Sequence, residues 1–152
     1  MTPVYSLRLF TAADRDFWFT LHHEAYRPRV EPIWGWDPVV QAQFANAELE
    51  KIYSGQFIVL VDNLPAGYLS YDWQEAQSRL YLSNLILVPT LRGQGIGRSI
   101  IQDLMAVAKR FNKPMRLRTF ENNPAKKLYE RLGFVVYEHN HNDHHYYLEW
   151  KP

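Results

Sequence analysis

The chain has 152 residues, of which 17 are lysine or arginine and 16 are aspartate or glutamate, so its formal net charge is +1. A chain of this length is predicted to form a single domain over residues 1–152, and its near-neutral charge provides no overall field that would attract nucleic acid or a membrane surface. The absence of cysteine excludes disulfide bonds, thiolate metal ligands and a cysteine nucleophile.

The first part of the chain alternates between strand and helix patterns. The predicted elements are a strand at 4–10, helices at 11–26 and 37–53, and antiparallel strands at 56–61, 66–73 and 79–88. Thr11 and Asp14 form a capping-box pattern at the start of the first helix, and Asp37 followed by Pro38 starts the second. The segment 27–36 between these helices contains two prolines and a glycine and is therefore predicted to be irregular.

A glycine-rich loop joins the last of these strands to the next helix. Residues 82–98 pass from an apolar strand into glycines at positions 93, 95 and 97. The first N–H groups of a helix lack helical acceptors, and glycine lets an anion approach the main chain closely. With Arg92 and Arg98 nearby, the loop is predicted to bind cofactor phosphates. Because Arg98 follows the last glycine, the loop is not a P-loop, and the Rossmann dinucleotide pattern is kept only as a weaker alternative.

The remaining elements follow in the order helix, strand, helix, strand, strand. Their predicted bounds are 95–110, 115–120, 124–131, 134–138 and 144–150. Asn123 is predicted to cap the second of these helices, with Pro124 at its first position and Gly133 just beyond its end. The apolar face of this short helix consists of Ala125, Leu128, Tyr129 and Leu132. Because a helix connects them, the strands 79–88 and 115–120 are predicted to be parallel.

Two segments of the sequence resemble motifs of one enzyme superfamily. Residues 92–97, Arg-Gly-Gln-Gly-Ile-Gly, resemble the Arg/Gln-x-x-Gly-x-Gly/Ala acetyl-CoA loop of the GNAT N-acetyltransferases. Residues 122–134 resemble the Asn-x-x-Ala-x-x-Leu-Tyr-Glu-Lys-Leu-Gly-Phe segment of the same superfamily. The resemblance implies an α+β fold, in which a central, mostly antiparallel sheet contains one splayed parallel strand pair and carries helices on both faces.

The resemblance also implies which residues hold acetyl-CoA. The pantetheine arm would bind main-chain groups of Ile86, Leu87 and Val88 in the gap of the splayed pair. The residues implied for the pyrophosphate are Arg92, Gly93, Gln94, Gly95, Ile96, Gly97 and Arg98. One asparagine would bind the cofactor arm near the second strand. Counting back from the alanine of the motif selects Asn122, whereas counting along the preceding strand selects Asn123, which we favour.

The chemistry implied for the thioester centres on one tyrosine. Tyr129 matches the superfamily tyrosine that protonates or hydrogen-bonds the departing thiolate. With a phenol pKa of about 10 and a thiol pKa of about 8.5, full proton transfer is uphill by roughly 2 kcal/mol, which favours a hydrogen bond. Many GNAT enzymes use a strand glutamate as general base, but strands 79–88 and 115–120 carry no carboxylate. Ser83 and Asn84 could orient a water in its place. The proton acceptors left open are Glu24, Glu31 and the histidines.

The segment 27–36 is expected to line the acceptor side of the site. Trp34 and Trp36 lie near Glu31 in the sequence, and aromatic rings beside a carboxylate are typical of a pocket for an ammonium group. In the GNAT fold this region, between the first two helices, helps to form the acceptor site. The alternative is that both tryptophans only fill the space between the helices.

Four histidines lie close together near the end of the chain. His139, His141, His144 and His145 surround a predicted turn, where a metal site has to be considered. Alternate residues of a strand point to opposite faces, so no shared metal is expected. Instead, one residue of this turn is expected to face the acceptor pocket. The candidates are His144, His145, Tyr146 and Tyr147.

Together these features predict an N-acetyltransferase that transfers the acetyl group of acetyl-CoA to a primary amine of a small molecule or peptide. Because cysteine is absent, the amine is expected to attack the thioester directly. A non-catalytic module that binds or senses acyl-CoA is the alternative, since the two strands lack a carboxylate. No apolar run has the length of a signal peptide or a membrane span, so a soluble cytoplasmic protein is expected, with a homodimer as one alternative for its oligomeric state.

Overall fold

The computed structural model describes residues 2–152, which form one seven-stranded sheet with helices on both faces. The strands are β1 (Tyr5–Leu9), β2 (Gly55–Val61), β3 (Leu64–Gln74), β4 (Arg79–Leu87), β5 (Met115–Phe120), β6 (Val135–Asn140) and β7 (His145–Trp150). The helices are α1 (Arg15–Trp34), α2 (Pro38–Glu50), α3 (Ile96–Arg110) and α4 (Ala125–Arg131). Across the sheet the strands lie in the order β1-β2-β3-β4-β5-β7-β6.

The parallel pair β4 and β5 separates along its length. The pairing recorded for these strands is Leu80 with Met115 and Tyr81 with Arg116, although each strand continues for at least four residues beyond. The other neighbouring strands of the sheet are antiparallel. The predicted fold class, including the splayed parallel pair, is therefore confirmed. The splay leaves a gap between the carboxyl-terminal halves of β4 and β5.

A bulge in β4 reverses its side chains where this gap begins. The pairing of β3 with β4 shifts between Ser70 and Tyr71, so that Ser83 falls outside the register. Before the bulge, Leu82 packs in the same core as α3. After it, Asn84 and Ile86 face the helices on the opposite side of the sheet. The bulge therefore brings a polar side chain to the face covered by α1 and α2.

Apolar residues form a core on each face of the sheet. Helix α3 contributes Ile96, Ile100 and Leu104 to one core, because their spacing of four residues places them on one face of the helix. Val107, farther along the same helix, and Phe111, just beyond its end, are exposed. On the other face, Trp18 of α1 packs against Ile58 of β2, and both side chains are fully buried. Two cores of this kind hold the central strands between helices and fix the position of the gap.

Helix α1 is longer than the sequence predicts. The prediction of an irregular segment at 27–36 is wrong for all but its last two residues, because α1 continues to Trp34. Both prolines of the segment lie inside the helix and are exposed, so water can solvate the carbonyl groups that lose an N–H partner. Arg29 and Asn122 anchor the extension through reciprocal hydrogen bonds of 2.6 and 3.1 Å. The last helical residue is Trp34, and Gly35 follows it with a φ of +76°.

The predicted caps lie at the starts of the first two helices. The amide of Thr11 donates to Asp14 Oδ2 at 2.9 Å in a short 3-10 turn that precedes α1. Asp37 Oδ1 accepts from the amide of Val39 at 2.9 Å, with Pro38 at the first position of α2. Within residues 2–152, no helix is both long enough and apolar enough to cross a membrane.

Helix α1 carries a histidine that is enclosed in the core. His22 is 6% exposed, and its ring stacks on Trp18 at 4.6 Å and on Tyr26 at 3.9 Å. Burial, with a smaller contribution from the charge of His23, lowers the pKa of His22 to about 4, although the negative charge of Glu48 partly opposes the effect. The imidazole is therefore neutral at physiological pH.

We expect His22 to make the protein sensitive to acid. Between pH 6.5 and 4 the unfolded chain binds a proton at this residue that the folded chain does not, so stability falls as the pH falls. The full effect is about 3 kcal/mol at 1.36 kcal/mol per pKa unit. His22→Phe keeps a flat ring and removes the titration, so urea unfolding between pH 7 and 4 should show a flatter dependence for this variant. Parallel curves for the two proteins would contradict this assignment.

Candidate active site

The loop between β4 and α3 presents an anion-binding helix start. Gly93 and Gly95 have φ values of +75° and +87°, which suit glycine, and Gly95 immediately precedes α3. The amide of Ser99 donates to the carbonyl of Gly95 at 3.0 Å and closes the first turn. The amides of residues 96–98 come before this bond, so they lie at the positive end of the helix dipole without helical acceptors.

The first arginine of the loop is held by the protein itself. Arg92 donates from Nη1 to Glu24 Oε1 at 3.0 Å and from Nε to the carbonyl of Leu87 at 3.0 Å. Its charge is therefore partly compensated, which the sequence does not predict. Arg98 is exposed, and the side chain of Gln94 donates to the carbonyl of Thr90 at 2.9 Å. The free positive potential of the loop thus comes from backbone amides and Arg98.

A chain of polar side chains crosses from helix to strand beside the gap. The Tyr26 hydroxyl in α1 donates to Asn84 Oδ1 at 2.8 Å, and Asn84 Nδ2 donates to Glu48 Oε1 at 3.1 Å. The Tyr53 hydroxyl also donates to Glu48, and Lys51 lies 2.9 Å from its other oxygen. Since Asn84 is only 7% exposed, the carboxylate of α2 reaches the interior at the point where β4 leaves β5.

The surroundings of this network set the protonation state of its members. Burial tends to raise the pKa of the Glu48 carboxyl, but hydrogen bonds from Tyr53, Lys51 and Asn84 outweigh it and hold the pKa below its ordinary value. Burial raises the pKa of the Tyr26 phenol, and the negative charge of Glu48 raises it further. Glu48 is therefore ionised and Tyr26 is protonated at neutral pH, which is the state their hydrogen bonds require.

A second phenol, that of Tyr129, lies on α4 and is half-buried against the core that contains α3. Burial raises the pKa of Tyr129 to about 12, so its hydroxyl is a hydrogen-bond donor throughout the physiological range. Tyr129 is also among the groups that raise the pKa of Tyr26, which means that the two phenols share one electrostatic environment. The arrangement combines a carboxylate, an amide and two protonated phenols beside a gap in the sheet.

Comparison with known proteins identifies the family. The profile of the acetyltransferase (GNAT) family matches residues 15–134. The chain belongs to this family. It is therefore an acetyltransferase of the GNAT family, as the two sequence motifs predict. A search of curated protein sequences found no significant match.

Solved structures share the fold of this GNAT acetyltransferase over almost its whole length. PaiA N-acetyltransferase from Thermoplasma acidophilum, in complex with coenzyme A, has a TM-score of 0.76 at 15% identity, covering 98% of this chain and 99% of that chain. An acetyltransferase from Thermus thermophilus has a TM-score of 0.73 at 17% identity, with both chains fully covered. YncA from Salmonella typhimurium, with acetyl-CoA, has a TM-score of 0.64 at 18% identity, covering 97% and 94%. At these identities the likeness shows a shared fold.

In the GNAT acetyltransferase structure the three residues predicted for the acceptor side separate into two places. Glu31 and Trp36 line an open groove of about 700 Å³ along α1. The Glu31 carboxylate is paired there with Arg27 at 2.6 Å, so it is not a free partner for an ammonium group. Trp34 lies elsewhere, with its ring centroid 6.4 Å from Phe120 and 5.2 Å from His144.

The two asparagines predicted for the cofactor have different contacts. Asn122 is bonded to Arg29 of α1, whereas Asn123 Oδ1 accepts from the amide of Ala125 at 2.9 Å. The helix begins one residue later than predicted, at Ala125 with Pro124 at the cap position, so Asn123 forms a turn just before the cap. Gly133, with a φ of +103°, lies beyond the end of α4 as predicted. Asn123 leads directly into the helix that carries Tyr129.

Glu48 is the functional candidate that the sequence reasoning missed. The family pattern points to a carboxylate on β4 or β5, whereas Glu48 lies on helix α2 and contacts Asn84 across 36 residues of sequence. A weak signal was present, because Gln41, Ala45 and Glu48 follow one face of α2 and the first two are buried. A polar residue on the inner face of a helix is the pattern that could have found it.

Proposed function

We propose that this acetyltransferase uses acetyl-CoA and transfers the acetyl group to a primary amine of a small molecule or a peptide. The observation that carries the proposal is the network of Glu48, Asn84 and Tyr26 at the opening of the gap between β4 and β5. An ionised carboxylate there attracts an ammonium group and accepts the proton that the amine must lose. The half-buried phenol of Tyr129 on α4 would serve the leaving group.

The cofactor would enter through the gap in the sheet. The pantetheine arm would bind main-chain groups of Ile86, Leu87 and Val88, at the end of β4 and just beyond it, past the recorded pairing with β5. Two of these groups already have partners, because the Leu87 carbonyl accepts from Arg92 Nε and the Val88 amide donates to the Ala66 carbonyl at 2.8 Å. The amides at the start of α3 would bind the pyrophosphate, assisted by Arg98. The bound coenzyme A of PaiA N-acetyltransferase and the acetyl-CoA of YncA, two proteins with this fold, support this choice of donor. Asn122 or Asn123 would contact the arm beyond β5.

The reaction needs no intermediate on the enzyme. The amine nitrogen attacks the thioester carbonyl carbon, the carbon–sulfur bond breaks, and the amine proton passes to Glu48, directly or through a water. The thiolate leaves beside Tyr129. With a phenol pKa of about 12 and a thiol pKa of about 8.5, full proton transfer from Tyr129 is uphill by roughly 5 kcal/mol. Tyr129 therefore donates a hydrogen bond to the developing negative charge, and solvent completes the protonation.

An aromatic wall leads from this network toward the surface. The ring centroid of Phe120 lies 5.9 Å from that of Tyr26 and 6.4 Å from that of Trp34, so the three rings form one row of contacts. We propose that the acceptor lies along this wall, with its ammonium group toward Glu48 and its carbon skeleton on the rings. Trp36 belongs to the separate groove along α1.

The two tryptophans give a prediction for the acceptor. Trp34→Ala should raise KM for the amine about tenfold, because an aromatic contact contributes about 0.5–1.5 kcal/mol beyond the area that it buries and about 1.4 kcal/mol corresponds to a factor of ten. KM for acetyl-CoA should change little. Steady-state kinetics with the best amine measures both constants. If Trp36→Ala raises KM for the amine more than Trp34→Ala does, the acceptor lies in the groove along α1 instead.

The proposed function is tested by incubating the protein with acetyl-CoA and a panel of primary amines and amino-terminal peptides. Free thiol release should accompany formation of the acetylated amine, identified by mass spectrometry, in a one-to-one ratio. The intact mass of the protein should show no stable acetyl adduct during turnover. Tight binding of acetyl-CoA with no acetylated product from any amine would instead support the non-catalytic acyl-CoA-binding alternative.

A further inference from the structure

The sheet order brings three potential metal ligands together at one end. Strand β7 lies between β5 and β6, with His145 opposite Phe120 on one side and opposite Asn140 on the other. Glu121, the residue after β5, therefore comes close to the end of β6, where His139 lies. The sequence of a single strand does not predict this contact, because β7 lies between β5, which precedes Glu121, and β6, which carries His139.

The donor atoms of these residues lie at metal-binding separations. Glu121, His139 and His141 each present one ligand atom within 4.8 Å of the others. Glu121 Oε2 is 3.5 Å from His139 Nε2. In a tetrahedral zinc site with bonds of about 2.0–2.1 Å, neighbouring donor atoms are about 3.3–3.4 Å apart. The rings of His139 and His141 are 3.9 Å apart, so both imidazoles lie on the same side of the hairpin.

Two of the polar atoms in this cluster are buried without a hydrogen bond. Within residues 2–152, Glu121 Oε1 and His139 Nε2 are inaccessible to solvent and form no hydrogen bond of acceptable geometry. His144 Nδ1 lies 3.2 Å from the first atom, and Glu121 Oε2 lies 3.5 Å from the second. A buried polar atom left unpaired costs about 1–3 kcal/mol, and more if it is charged. A cation bound by the carboxylate and the imidazole would give both atoms a partner. A proton shared between them would not, because their geometry is not that of a hydrogen bond.

A fourth ligand lies beside the cluster. His144 Nδ1 is 3.2 Å from Glu121 Oε1, and the amide of Glu121 donates to the carbonyl of His144 at 2.8 Å. His144 has a φ of +57° in the turn before β7, a left-handed conformation that histidine adopts more readily than most residues other than glycine. The side chain is thus fixed next to the carboxylate by both its ring and its backbone.

We propose that Glu121, His139 and His141 bind a divalent transition-metal ion of the zinc class, with His144 or a water completing four-coordination. Imidazole and carboxylate donors suit Zn²⁺, whereas Ca²⁺ and Mg²⁺ require oxygen ligands. The bound ion ties the end of β5 to the β6–β7 hairpin and fixes the loop that holds Asn122 and Asn123. This site is additional to the proposed acetyl transfer and replaces the expectation from the sequence that no metal binds.

Metal binding is tested with Zn²⁺ alone, on full-length protein made without a histidine tag and freed of metal with a chelator. Calorimetric titration should show one Zn²⁺ per chain. His141→Ala and Glu121→Gln should each weaken binding at least tenfold, because changing even the residues behind metal ligands typically costs about 10–100-fold in affinity. His141 is exposed, so its replacement leaves the packing intact. His23→Gln, distant from the cluster in the fold, is the matched control and should bind as the wild type does.

Cobalt provides a readout that a merely structural role of these residues would not change. Co²⁺ bound by the wild type should give the intense visible absorption of a four-coordinate site, and His141→Ala should lose it. Saturating Zn²⁺ should also raise the Tm of the wild type but not that of His141→Ala. Absence of stoichiometric Zn²⁺ uptake, or equal uptake by wild type and His141→Ala, overturns the proposal. None of these measurements uses acetyl-CoA, so failure of the metal site and failure of the transferase proposal are separate results.

Discussion

Glu48→Gln should lower kcat for acetyl transfer about 100-fold, at the lower end of the 10²–10⁴ range typical of general acid–base catalysis. The lower end applies because the pKa of Glu48 lies below its ordinary value, which makes the carboxylate a weak proton acceptor. Glutamine keeps the shape and can still accept the Asn84 hydrogen bond, but it carries no charge. Steady-state kinetics at saturating acetyl-CoA measures the change.

The pH dependence of kcat/KM distinguishes the ionisation of Glu48 from that of the acceptor amine. Because hydrogen bonds hold the pKa of its carboxyl below the ordinary value, Glu48 is ionised at neutral and alkaline pH, and the dependence of kcat/KM in that range should follow the acceptor amine. Glu50→Gln, on the exposed side of the same helix, is the matched control and should retain wild-type kcat. Equal activity of Glu48→Gln and Glu50→Gln would remove Glu48 from the mechanism.

Tyr129→Phe should lower kcat by about 10²–10³, the range seen when one donor to a developing negative charge is removed. The KM for acetyl-CoA should remain within about twofold of the wild-type value, because the hydrogen bond forms fully only as the thiolate departs. The pKa of about 12 places no titration of this phenol below pH 10. Any decline of the wild-type rate at alkaline pH should therefore also appear in Tyr129→Phe.

The acyl donor can be varied to test the same role. If Tyr129 stabilises the leaving thiolate, the loss in Tyr129→Phe should shrink when acetyl-CoA is replaced by an acetyl thioester analogue with a more acidic thiol. Tyr137→Phe is a suitable control, since this tyrosine is 45% exposed on β6 and packs on Arg116. A loss that is the same for both donors would assign Tyr129 to packing of α4 rather than to the leaving group.

Most helices and strands could be predicted because the caps, turns and apolar spacing that determine them lie within or next to each element. The cap at Asp37, the turn at Asn123 before α4 and the glycine beyond α4 are each determined by residues within about one turn of helix. The splayed pair followed from resemblance to a family rather than from periodicity. The carboxyl-terminal part of α1 could not be predicted, because exposed prolines are tolerated there and Asn122, 93 residues away, anchors Arg29.

The site could be predicted only where it lies on motifs. The loop from Arg92 to Arg98 and Tyr129 belong to contiguous patterns, but the contact of Glu48 with Asn84 depends on the bulge at Ser83 and on how α2 packs. Likewise, Glu121 meets His139 through the pairing of three strands. Long-range contacts of single polar residues leave almost no trace in composition or spacing, so they emerge only from the folded chain.

The central claim is that the gap between β4 and β5, together with the start of α3, receives acetyl-CoA. The most direct test is calorimetric titration of acetyl-CoA into the purified protein at two temperatures, so that a zero enthalpy at one of them does not hide binding. We expect saturable binding of one acetyl-CoA per chain. A titration with no heat at either temperature would contradict the account.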